Sequence, residues 1–276
     1  MQCVLSDEQL LQLLNDDVPY GDLTTDLLLD AHSPVEIVFS AREPMTLCAI
    51  EEVARLFTLK GASVQLKARS GQHMQPGDEL LRASGEAAPL FALWKVSQIL
   101  VEWASGIASA TRALVVAAAP VPVVCTRKQT PFTKALSVKA VRAGGAAIHR
   151  LGLSETLLLF AEHRQFIQES PEQIVQRLKI RAPEQRRVVE VHDLDDAKCW
   201  AQAGAEVLQM DKFTPAQVAE CAQFCARQQL PVVLAAAGGV TLENASEYVA
   251  AGAQLLVTSA PYHAKPRDVQ VRFYSG

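Results

Sequence analysis

The sequence predicts an α/β protein in two parts, a small mostly antiparallel sheet followed by a parallel barrel. Three observations carry that expectation. Residues 35 to 89 alternate apolar and polar side chains and are broken by Gly71, Gln75-Pro76-Gly77-Asp78 and Ser84-Gly85, the pattern of short strands joined by turns. From about Pro120 onward, short apolar runs alternate with helix-like stretches, which argues for parallel strands with crossover helices. A weak repeat runs through this second part. Ala143-Gly144-Gly145, Ala203-Gly204-Ala205 and Ala251-Gly252-Ala253 each precede an apolar run, with a Gly placed to end a helix. Repeated units fit a barrel better than an open sheet, and no GxGxxG follows a strand.

Along the chain, Leu10, Leu11, Leu13 and Leu14 with Asp7 and Glu8 ahead of them read as an amphipathic helix. The acids in this segment and its lack of a basic run argue against a signal peptide. Val35–Phe39 and Ala62–Ala68 read as strands. Leu90–Val116 reads as one or two buried helices, with Gly106 as an interruption. The barrel strands are expected at Val121–Cys125, Ala146–His149, Thr156–Phe160, Arg187–Val191, Val207–Met210, Val232–Ala235 and Leu255–Val257. Helices are expected at Asp193–Ala203 and Pro215–Arg227. The domain boundary is expected at 105/106, with a barrel over 106–264 and the segment 265–276 returning to the first domain.

The chain has 276 residues, 49% of them hydrophobic, and a net charge of −4. That balance points to small-molecule partners, not to nucleic acid or an anionic membrane, and no apolar run is expected to span a bilayer. The six cysteines show no paired CxxC spacing, so they read as reduced thiols of a cytoplasmic protein. Cys221 and Cys225, four apart on a helix, leave a metal site as the lesser reading.

The sharpest chemical signal is a stretch without acids. Between Trp103 and Ser154 there is no Asp or Glu, while Arg112, Arg127, Lys128, Lys134, Lys139, Arg142, His149 and Arg150 all fall there. Thr126-Arg127-Lys128 and His149-Arg150 follow expected strands, where a parallel barrel builds its active face. Cations at that face suit a polyanion, and arginine gives planar bidentate contacts. A solvated helix face paired with acids elsewhere is the bland alternative. Glu190 and Asp211 end other strands and suit hydroxyl groups or a metal. Gly238-Gly239 follows a late strand and is expected to open a helix capped by Thr241, forming an anion site with the turn at Ser259-Ala260. A phosphate floor, two acids and a cationic wall suit phosphoribosyl pyrophosphate, whose reaction depends on positioning and charge stabilisation.

Several motifs in order resemble the quinolinate phosphoribosyltransferase (nicotinate-nucleotide pyrophosphorylase) family. They are Gly21-Asp22-Leu23-Thr24-Thr25-Asp26, Ser105-Gly106-Ile107-Ala108, Thr126-Arg127-Lys128-Gln129-Thr130-Pro131 and His149-Arg150-Leu151-Gly152-Leu153-Ser154, followed by Glu190, Met210-Asp211-Lys212-Phe213, Gly238-Gly239-Val240 and His263. The resemblance implies an N-terminal α/β sandwich and an incomplete, open α/β barrel. It implies a homodimer, or a hexamer, whose neighbouring subunit completes each active site, and Mg²⁺ brought with phosphoribosyl pyrophosphate. It implies catalytic roles for Lys128, Glu190 and Asp211, the two acids also serving the metal. It implies substrate contacts from Trp103, Thr126, Arg127, Lys128, His149, Arg150 and Phe160, and phosphate contacts from Ala237, Gly238, Gly239, Thr258, Ser259 and Ala260.

The departures are as informative. Trp103 and Phe160 stand where the family carries an Arg and a Lys for the second carboxylate, and Ala235 and Ala237 stand where it carries Glu and Ser. This pattern is similar to the ModD-type branch, named for molybdenum-transport operons. It implies a pentosyltransferase with an acceptor other than quinolinate. The alternatives are the carboxylating nicotinate-nucleotide enzyme of NAD biosynthesis, and a non-catalytic oxyanion- or nucleotide-binding protein in molybdenum handling.

Overall fold

The structure is a computed structural model that describes residues 1–275. The chain forms two compact units. The first takes residues 1–112, 129–145 and 261 onward, and the second takes 113–128 and 146–260.

The first unit opens with helix α1 (Asp7–Asp17), closed by a capping box between Ser6 and Gln9. Leu10 and Leu14, one turn apart, are its buried residues. Asp22 caps α2 (Leu23–Leu28) through the backbone N–H groups of Thr24 and Thr25. The strands are β1 (Pro34–Ala41), β2 (Met45–Thr46), β3 (Ser63–Leu66), β4 (His73–Met74) and β5 (Glu79–Glu86). β1 is one of two inner strands of a four-stranded antiparallel sheet, pairing β5 on one side and the strand Val269–Ser275 on the other. Helix α3 (Ile50–Leu59) buries Ile50, Val53, Leu56 and Phe57, and Phe57 meets Phe39 of β1 edge to face. A sheet with helices packed on it is the α/β sandwich expected.

Helix α4 (Ala87–Ala118) runs unbroken for 32 residues. Gly106 does not interrupt it. A Cβ there would collide with the Lys265 carbonyl, so the glycine permits a close crossing of the returning C-terminal segment. The expectation that no segment has a membrane-spanning length is also corrected: α4 passes that test with a mean hydropathy of 1.4, because Lys95, Glu102 and Arg112 are spaced widely enough to leave an apolar window between them. About half of that window, 56%, is buried inside the protein, as in a core helix. Helix α5 (Lys134–Ala143) completes this unit.

The second unit is a seven-stranded, all-parallel curled sheet. Its strands are β6 (Val123–Cys125), β7 (Ala147–Ile148), β8 (Leu158–Leu159), β9 (Val188–Val191), β10 (Val207–Asp211), β11 (Val233–Ala237) and β12 (Leu255–Thr258). The order is β7-β6-β12-β11-β10-β9-β8, so β7 and β8 are edges and the barrel is open, as expected. Short helices α6 (Ala161–Arg164) and α7 (Pro171–Arg181) precede β9. Crossovers after it are α8 (Leu194–Gln202), α9 (Pro215–Arg227) and α10 (Ala245–Ala250). Asp193 caps α8, and Thr214 with Gln217 forms a capping box on α9 beside Pro215. Val124, Val207, Ala235, Ala237 and Val257 form an apolar cluster with Val188, Val233 and Leu255 packed against it. Val207, Gln209 and Asp211 alternate onto one side of β10, so the strand that contributes to this cluster also ends in a carboxylate.

All six cysteines are free among the described residues. Burial pushes the thiols of Cys48, Cys125 and Cys221 up to about 12, which keeps them protonated and unreactive.

Candidate active site

One cavity of about 580 Å³ lies in the barrel unit, lined by residues that follow the parallel strands. Thr126, Arg127 and Lys128 come from the loop after β6, and His149 and Arg150 follow β7. Phe160 follows β8, Glu190 lies on β9, and Gln209 and Asp211 lie on β10. Ala237, Gly238 and Gly239 come from the end of β11, and Thr258, Ser259 and Ala260 from the end of β12. The chain thus gathers every site residue read from sequence except Trp103.

Trp103 instead lines a groove of the first unit with Leu13, Ile99, Phe132 and Leu136. The acid-free stretch also divides. Lys139 is only 3% exposed and forms ion pairs with Glu51 at 2.8 Å and Glu52 at 2.5 Å in the first unit. Arg112, Lys134 and Arg142 do not line the cavity either. The cationic wall is therefore Arg127, Lys128 and Arg150, with His149 beside them, and the larger block read from sequence is corrected. Its remaining members balance acids elsewhere or face solvent.

Arg150 is 8% exposed, and among the described residues no carboxylate lies within ion-pair distance of it. Its guanidinium stands 5.4 Å from the Phe160 ring centre. Burial and then the neighbouring Arg127 hold its pKa below the usual arginine value, with Glu190 opposing. His149 is held below its ordinary pKa by burial and then by Arg150, both of which favour the neutral imidazole. Phe160 gives its backbone N–H to Nδ1 of His163, which fixes the start of α6.

Glu190 is pushed up by burial, while a bond from Gln209 Nε2 at 2.7 Å acts in the other direction and Asp211 adds to the rise. His192, unnoticed in the sequence, stands 3.8 Å from both Glu190 and Asp211. Gln209 was missed as well. A polar residue inside the apolar run Val207–Met210 was the signal that could have found it.

Asp211 owes its position to two backbone features. Lys212 turns the chain with φ of +58°, and its N–H bonds Ala237 O at 2.8 Å. Gly238, with φ of +74°, has no side chain to obstruct the Asp211 carboxylate, with which a Cβ would collide.

The expected helix N-terminus after the glycines is absent. α10 starts at Ala245, and Thr241 accepts no capping bond; its N–H is held by Asn244 Oδ1. Asn244 also bonds Gly239 O, so this polar turn takes the residues a longer helix would have used. Anion binding here rests on backbone amides. The N–H groups of Gly238, Gly239 and Ser259 have no acceptor among the described residues. The Thr258 hydroxyl is already engaged, donating to Val240 O and accepting from Ala260 N.

No cluster of three or more His, Cys, Asp and Glu among the described residues forms a metal cage. Glu190 and Asp211, oxygen donors on adjacent strands, are the residues that would hold a hard divalent cation.

The comparisons with known proteins agree with this geometry. The family profile described as quinolinate phosphoribosyl transferase, N-terminal domain, matches residues 22–105, and the C-terminal domain profile matches 107–272. A Rhodobacter capsulatus protein carrying the provisional name pyrophosphorylase ModD is 45% identical over 88% of this chain and 95% of its own length. Nicotinate-nucleotide pyrophosphorylase [carboxylating] of Mycobacterium leprae is 30% identical over 91% of this chain and 90% of its own. The crystal structure of NadC from Streptococcus pyogenes superposes with a TM-score of 0.88 at 25% identity, covering 97% of this chain and 96% of that one. Both halves of the sequence and the whole of the fold thus agree, and the chain belongs to the quinolinate phosphoribosyl transferase family.

Proposed function

We propose that this protein transfers a phosphoribosyl group from Mg²⁺-bound phosphoribosyl pyrophosphate to the nitrogen of a planar acceptor other than quinolinate. The observation that carries the reading is the single cavity in which Arg127, Lys128, Arg150, Glu190, Asp211 and the free amides of Gly238 and Gly239 meet. Lys128 and the glycine amides hold phosphates. Glu190 and Asp211 hold ribose hydroxyls and would hold Mg²⁺, which neutralises pyrophosphate charge. As the C–O bond to pyrophosphate lengthens, the sugar carbon gains positive charge that the Glu190 carboxylate stabilises. Arg127, His149 and Arg150 orient the acceptor, and Phe160 walls its face.

An aromatic ring at Phe160 leaves the cavity without the second cationic anchor a dicarboxylate needs, which supports an acceptor with one acidic group. We read the molecule as a homodimer in which Trp103 of the partner subunit completes the wall, since Trp103 does not line the cavity of its own chain. The cytoplasm is its inferred compartment, supported by six free thiols.

Titration calorimetry with Mg²⁺-phosphoribosyl pyrophosphate, with and without quinolinate, tests this reading. Micromolar donor binding indifferent to quinolinate is expected. Donor binding that requires quinolinate returns the protein to the carboxylating reaction named for its Mycobacterium leprae relative. A second reading, oxyanion binding in molybdenum handling without transfer, is supported by Ala237, which brings no side-chain donor to the phosphate wall. A melting temperature raised by molybdate and untouched by the donor would favour it.

A further inference from the structure

Gln209 sits in the middle of β10, in register with Glu190 on one side and Ala235 on the other. Its Nε2 donates to Glu190 Oε2 at 2.7 Å. Its Oε1 is buried and has no hydrogen-bond partner, although the residue is 7% exposed and lines the cavity. Buried polar atoms are nearly always paired, and one left unpaired opposes folding. The neighbouring strand offers only Ala235 and Ala237 on this side, so nothing in the barrel wall answers that oxygen. The terminal torsion of a glutamine is broad, so the carboxamide can turn to meet a ligand in the cavity if its Nε2 releases Glu190.

We propose that Gln209 is a specificity-determining residue for the acceptor, and that its Oε1 accepts a hydrogen bond from a ring N–H or exocyclic amino group. The inference rests on the phosphoribosyl-transfer reading and narrows its substrate class. The acceptor is a planar nitrogen heteroaromatic that carries one acidic group for Arg127 and Arg150 and one hydrogen-bond donor for Gln209. Phe160 covers its apolar face.

The test uses nicotinate, which has the ring and the acid but no donor, and its 2-, 4- and 6-amino derivatives. Their affinities are measured by calorimetry on the wild-type protein and on Gln209→Met and Gln209→Leu, with donor affinity measured alongside. At least one amino isomer is expected to bind wild type about tenfold more tightly than nicotinate, or about 1.4 kcal/mol. Both variants are expected to lose that preference, read as the ratio of amino-isomer to nicotinate affinity on the same protein, whatever the loss of the Glu190 bond does to donor affinity. Wild type without preference for any amino isomer overturns the role of Gln209 and needs no variant to fold. A variant that folds, by melting temperature, and keeps the preference overturns it equally. Absence of donor binding to wild type strikes at the transfer reading, a result separate from the amino preference.

Discussion

Lys139 and Arg150 come from the same acid-free stretch, and both are buried, yet they belong to different kinds of site. Lys139 lies in the first unit between Glu51 and Glu52, which themselves hold Ser70 and the Val4 backbone. Arg150 lies in the barrel unit with an aromatic ring and another arginine for company, Glu190 acting on it only from beyond ion-pair distance and no carboxylate among the described residues pairing with it. A buried charge with its counter-charges holds the fold together. A buried charge without them opposes folding, the trait expected of a cation whose proposed partner is an anionic ligand. What separates these two cations is therefore partnership, not charge or burial.

The largest effect expected from this contrast is on stability. Lys139→Ala leaves two glutamates buried and unpaired, and should cost about 3–5 kcal/mol in urea unfolding. A loss below about 1 kcal/mol would mean the pair is not the anchor described. The next effect combines backbone and site. Gly238→Ala forces a side chain into the left-handed region at about 1–2 kcal/mol and displaces Asp211. Donor affinity measured by calorimetry should fall at least about tenfold, which is about 1.4 kcal/mol.

Arg150→Met reverses the pattern of Lys139. Stability should change by less than about 1 kcal/mol or rise, because an uncompensated charge leaves the interior, while binding of an acidic acceptor probe weakens. A loss of stability equal to that of Lys139→Ala would erase the distinction between the two cations.

The smallest effect is a titration. The His149 pKa is depressed in the folded state, so the unfolded chain takes up its proton first as pH falls. The stability linked to His149 is full above the unfolded value, about 6.5, and declines as pH drops below it. NMR titration should give a folded pKa below that value. In Arg150→Met it should rise part of the way, since burial, the larger cause, remains.

Much of this was legible in the chain itself. The apolar runs placed all seven barrel strands to within a few residues, and Pro215 marked the start of α9. The residues that follow strands were readable as a site because a parallel barrel brings its strand ends to one face. Local rules failed where a distant residue decided. Gly106 looked like a helix break, but the crossing of Lys265 explains it without one. Gly238-Gly239 looked like a helix start, but Asn244 closes a turn there first.

By itself, then, the sequence determined the fold class, the strand periodicity and the caps, because each depends on neighbours within a few positions. Only the tertiary structure decided which cations are spent on internal acids, that Trp103 lies outside the cavity of its own chain, and that Gln209 keeps an unanswered oxygen. Those facts depend on pairs such as Glu52 and Lys139, separated by 87 residues and joined by folding alone. A charge or an amide carries no mark in the sequence of whether its partner will be protein, water or ligand.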